Sequence, residues 1–142
     1  MGEATYYLKA RFRNAEAAEL ALEPVRAFLA EVGRAQAWWQ KHRHLAEAEF
    51  WPEFRKLFPA TTKYLGTLAK GDCNNGLAGE MSFGDEPDNI GVVDDELRYS
   101  EYTWHLASWG RLCEYLENEF GAVKAAYVSD EYADVFSCVD MD

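Results

Sequence analysis

From Tyr6 to Arg13 the chain alternates, with Tyr6, Leu8, Ala10 and Phe12 interleaved with Tyr7, Lys9, Arg11 and Arg13. A period of two sends these sets to opposite faces of a strand, one joining a core and the other basic. Asn14 then supplies an N-cap oxygen and Glu16 a first-turn carboxylate that opposes the helix dipole, so a helix is predicted from Ala15. Pro24 removes one backbone hydrogen bond and crowds the preceding turn, which predicts a kink or restart there. Val25, Phe28, Leu29 and Val32 form its apolar stripe, and Gly33 is expected to weaken or end it. Residues 34–70 stay helical in pattern, divided by Pro52 and Pro59 into helices over about 35–49, 52–58 and 60–69. Their rings, Trp38, Trp39, Phe50, Trp51, Phe54, Phe58 and Tyr64, exceed what a connector needs and must pack on something.

Gly71–Gly76 reads as a loop, because Asn and Gly tolerate positive φ. Beyond it the period returns to two. Strands are predicted over Leu77–Phe83, Ile90–Val93 and Leu97–His105, separated by an acidic turn at Gly84–Asn89 and a tight turn at Asp94–Asp95. Ser108 is placed to cap a helix in which Trp109, Leu112, Cys113, Leu116 and Phe120 recur at helical spacing, closed by Gly121. A strand over Val123–Val128 follows, and Val135–Val139 either adds an edge strand or trails.

This order, a strand and helix, a meander, then a helix and a closing strand, resembles the ferredoxin-like (split β-α-β) superfold. The resemblance implies an α+β fold: an antiparallel sheet, helices on one face, and residues 34–70 as a helical insertion after the first helix. It implies no activity, since this superfold hosts many. It also places the first strand beside the third. Lys9, Arg11 and Arg13 are then expected to face Tyr99, Glu101, Thr103 and His105, with Glu80 and Ser82 nearby, rather than the set containing Arg98, because like charges repel across a strand pair.

The 142 residues fit one domain, 1–142, and 49% hydrophobic with 15% aromatic residues is too apolar for a disordered chain. The apolar runs are far shorter than a membrane span requires. The first ten residues lack a secretory apolar segment, and Tyr6 stands where a myristoylation signal wants Ser or Thr. Cys73, Cys113 and Cys138 are odd in number and widely spaced, which reads as reduced thiols in a cytoplasm, with Cys113 as core filler and Cys138 unplaced.

Charge changes the picture most. Residues 1–70 hold 11 Lys/Arg against 8 Asp/Glu, and residues 71–142 hold 3 against 17, so the halves carry +3 and −14 within a net −11. Part of this pairs internally, since the first strand must sit in the sheet formed by the acidic half. The remainder concentrates in Asp85, Glu86 and Asp88, in Asp94, Asp95 and Glu96, and in Asp130, Glu131 and Asp134, a surface expected to dock a basic partner.

Catalytic and metal chemistry find little support. His42 and His44 point about 200° apart on a helix, and His44 with Glu47 gives two ligands where zinc needs three or four. The acidic loops lack calcium-loop spacing, no nucleophile elbow or phosphate-binding glycine loop occurs, and the net charge disfavours nucleic acid. No metal and no cofactor are expected. Three readings follow: a noncatalytic, immunity-like binding protein whose acidic surface docks a basic protein; a small-ligand binder or enzyme using a cleft lined by Tyr7, Arg11, Trp38, Trp39, Glu101 and His105; and a homodimer through the Trp-rich insertion. The first leads.

Overall fold

A computed structural model describes residues 4–66, 81, 89–103, 107–130 and 139. Within them the chain runs β1 (Ala4–Arg11), α1 (Ala15–His42), α2 (Glu47–Leu57), α3 (Pro59–Leu65), β2 (Ile90–Val93), β3 (Glu96–Thr103), α4 (Ala107–Glu119) and β4 (Lys124–Asp130). The fold is α+β, with four helices and a four-stranded antiparallel sheet in the order β2-β3-β1-β4 among the described residues. The expected strand over Leu77–Phe83, the loop at Gly71–Gly76, most of the acidic turn and most of Val135–Val139 lie outside the described residues.

Asn14 caps α1 as its side chain predicts, accepting from the Ala17 backbone N–H at 2.8 Å. The restart expected as one outcome at Pro24 does not occur, because α1 continues as one helix of 28 residues through both Pro24 and Gly33. Pro24 points to solvent, while Ala21, Val25, Phe28, Leu29, Val32, Ala35 and Trp39 keep one buried stripe across it. Burial along that stripe outweighs one lost backbone hydrogen bond. The next helix likewise spans Glu47–Leu57, with Pro52 inside it rather than at its start. Pro59 does open α3, where its missing N–H costs nothing. At the other end of the chain, α4 already begins at Ala107, which puts Ser108 inside its first turn rather than at the cap.

The even positions of β1 face the helices. Tyr6, Leu8 and Ala10 are buried with Leu97, Tyr99 and Ala125 beside them, and Trp109 of α4 stacks on Tyr6 at 5.1 Å and Tyr99 at 5.4 Å. Removing a buried ring of this kind typically costs about 3–5 kcal/mol. A second ring set joins α1, α3 and α4, with Phe28 stacked on Tyr115 at 4.9 Å and edge-on to Tyr64 at 5.3 Å. The helical excursion is tied in by polar contacts too. Glu31 of α1 accepts from the Thr61 N–H at 2.5 Å and the Thr61 hydroxyl at 2.6 Å, which caps the first turn of α3. Lys63 reaches Glu119 of α4 at 2.6 Å.

Gly121, at φ 81°, lets the chain leave α4 so that the Ala122 N–H donates to the Leu116 carbonyl at 3.2 Å. This is the position the sequence assigns to a terminating glycine. In the β2–β3 hairpin Asp94 takes φ 57°, and its short side chain tolerates that region better than most. The Asp95 carbonyl then accepts from the Phe12 N–H at 2.8 Å, which ties the hairpin to the end of β1.

Candidate functional site

The strand register decides which charges meet. Leu8 lies opposite Tyr99 and Ala10 opposite Leu97, so Lys9 pairs with Arg98, Tyr7 with Ser100 and Arg11 with Glu96. On the other side of β1, Arg11 pairs with Lys124 and Lys9 with Ala126. The expectation that Lys9 and Arg11 face Glu101 is therefore wrong by one residue. Such a slip moves a whole side-chain set to the other face, and here the burial of Leu97 and Tyr99 sets the register over any charge preference. Arg13 lies beyond the end of β1, and Glu80 is outside the described residues.

The resulting face carries Tyr7, Lys9 and Arg11 from β1, Glu96, Arg98, Ser100 and Tyr102 from β3, and Lys124, Ala126 and Val128 from β4. Glu96 is the counter-ion in its middle. One of its oxygens accepts from Arg98 Nη2 at 2.9 Å and Nε at 3.2 Å, and the other lies 3.8 Å from Lys9 Nζ. Lys9 is only 8% exposed. A charge held that deep depends on its partner, since removing one member of a buried pair leaves the other desolvated and uncompensated. Glu96, which the sequence assigns to the acidic docking surface, thus shares its charge with Lys9 and Arg98 in an ion cluster on this face.

The remaining expected ligand residues do not converge. Tyr7 and Arg11 share this face, but Glu101 sits opposite Tyr6 on the helix side of the sheet, where its charge helps hold the Tyr99 phenol well above its ordinary value, after burial as the main cause. Trp38 turns into the excursion, stacked on His42 at 4.1 Å and packed against Phe50, Phe54 and Phe58 within 5.4–6.1 Å. Trp39 is 8% exposed, and its indole N–H finds no acceptor among the described residues. Trp51 donates to Glu47 and lies under the Arg55 guanidinium, 5.6 Å from its ring centre. His105 lies outside the described residues.

Of the expected partner surface, Asp94 is exposed and Asp95 half-buried, while Asp130 ends β4. Asp85, Glu86, Asp88, Glu131 and Asp134 fall outside the described residues. A different acidic surface is present on α1. Glu16, Glu19, Leu20, Glu23, Pro24 and Ala27 recur at spacings of three and four on its solvent side, and Leu20 is 72% exposed. The sequence does carry a signal for it: these are the positions left over once Ala18, Ala21, Val25 and Phe28 are assigned to the core.

Cys113 is buried on α4, and burial, aided by Glu117 and Glu114, pushes its thiol up to about 12. It is a packing residue, since the thiolate is the reactive form. Among the described residues no group of three or more His, Cys, Asp or Glu side chains is arranged to hold a metal ion, and no helix is long and apolar enough to cross a membrane. No family model, curated protein or solved structure matches this chain.

Proposed function

We propose that this protein is a noncatalytic binding protein that docks a basic protein through the exposed acidic stripe of α1. The observation that carries the reading is Leu20, a large apolar side chain 72% exposed and flanked on its helix face by Glu16, Glu19 and Glu23. An apolar centre with a charged rim is the anatomy of an interface, and the rim specifies a cationic partner. The net −11 adds long-range attraction that speeds encounter. Asp94 offers a further acidic contact. The strand order β2-β3-β1-β4, with all neighbours antiparallel, supports a ferredoxin-like arrangement for the scaffold, with α2 and α3 as the insertion.

The test is affinity capture with the immobilised protein at about 0.05 M and 0.5 M salt, where screening shortens the Debye length several-fold. Wild-type protein should retain a basic protein at low salt and release it at high salt. Leu20→Ser and the triple variant Glu16→Lys/Glu19→Lys/Glu23→Lys, both with unchanged circular dichroism, should lose it. A capture that is insensitive to salt, or that both variants retain, refutes the reading.

A further inference from the structure

The sheet face opposite the core carries a surface of the other sign. Lys9 lies directly across from Arg98, and Arg11 directly across from Lys124, so β3, β1 and β4 present four cations in neighbouring register positions around the carboxylate of Glu96. Like charges directly opposite one another on paired strands are destabilising. Glu96, directly across from Arg11 and paired with Lys9 and Arg98, offsets only part of this, and four cations to one carboxylate in a chain whose net charge is −11 are a local excess beyond what folding alone favours.

We propose that this row is a binding site for a small phosphate-type polyanion. Arg11, Arg98 and Lys124 are its reachable contacts, Lys9 adds charge from behind, and Glu96 holds the Arg98 guanidinium in place. Guanidinium forks match phosphate oxygens bidentately, which a lysine cannot do. Three adjacent strands span about 10 Å, the reach of two or three linked phosphates. The site is separate from the α1 stripe and does not depend on it.

Sodium tripolyphosphate, compared with sodium chloride at matched ionic strength, is the probe. At tenfold its dissociation constant it should raise the melting temperature of the wild-type protein by about 4 °C. Arg11→Gln/Lys124→Gln and the single variant Lys124→Gln should lose most of that rise while melting no lower than wild type in chloride. Arg34→Gln/Lys41→Gln, which removes two exposed cations from α1, should keep it. An absent rise, an equal rise in all variants, or a chloride melting point several degrees lower in both site variants overturns the proposal. So does a single-stranded oligonucleotide that stabilises the protein where tripolyphosphate does not, since that would make the face a nucleic-acid surface.

Discussion

Replacing Glu96 with Gln leaves the volume of the side chain nearly unchanged and removes the charge that Lys9 and Arg98 share. The gross attraction between Glu96 and Lys9, 3.8 Å apart, is about 4 kcal/mol at an effective dielectric constant of about 20. Desolvation offsets part of this, and Glu96 and Arg98, with side chains 21% and 33% exposed, retain some water. The glutamine still offers Arg98 a neutral acceptor. The expected net loss is therefore about 2–3 kcal/mol, below the 3–5 kcal/mol typical of a fully buried broken pair. Urea unfolding should show a lower midpoint at unchanged slope, and thermal unfolding a melting point lower by about 8 °C. A double-mutant cycle isolates the cause. In a Lys9→Met background the same substitution should cost only about 1 kcal/mol, leaving a coupling of about 1.5 kcal/mol. A wild-type cost under about 0.5 kcal/mol, or equal costs in both backgrounds, would show that Lys9 does not depend on Glu96.

Two further outcomes follow from contacts elsewhere in the fold. Glu31→Ala should destabilise by about 2 kcal/mol, because it strips acceptors from the Thr61 N–H and hydroxyl together, whereas Thr61→Val should cost about 1 kcal/mol; equal losses in chemical denaturation would refute the capping role. Alkaline stability should fall with pH. The Cys113 thiol is raised from 9.0 to about 12 by burial, and the Tyr99 phenol is raised as well, so the folded chain holds protons that the unfolded chain releases. Stability from Cys113 is complete below about pH 9 and declines by up to about 1.4 kcal/mol per pH unit as pH rises towards 12. Unfolding midpoints from about pH 8 to about pH 11 check this, and a Cys113→Ala variant should show the shallower slope.

The sequence is readable where one residue controls one conformation. Asn14 caps a helix, Gly121 ends another, Asp94 and Asp95 turn a hairpin, and the alternation around Leu8 makes a strand. It misleads where two local preferences compete through tertiary packing. Pro24 argues for a kink or a restart, yet the helix does not restart there, because Pro24 falls on the solvent side of a buried stripe that runs from Ala21 to Trp39. In the β1–β3 register, charge pairing with Glu101 competes with the burial of Leu97 and Tyr99, and burial wins because removing those side chains from water stabilises more than an exposed ion pair does. That one-residue difference replaces Glu101 with Glu96 and sets Arg98 across from Lys9, while the separate β1–β4 register, with Ala10 opposite Ala125, sets Lys124 across from Arg11, so the candidate anion site is encoded in the apolar positions rather than in the charged ones. The α1 stripe is hidden for a related reason: net charge summed along a segment is blind to which face of a helix carries it.

The unbroken length of α1 also constrains how this chain can be shortened. A helix of 28 residues is about 42 Å long, whereas an eight-residue strand covers about 26 Å. α1 is thus longer than the described strands, and near its C-terminal end Trp38 packs against Phe50 and Phe54 of α2 and against Phe58, the residue that joins α2 to α3. The excursion is thus a cover for the C-terminal end of α1. A shortened chain that omits residues 47–65 would have to lose the last turns of α1 as well, or it would carry an uncovered aromatic shelf into water.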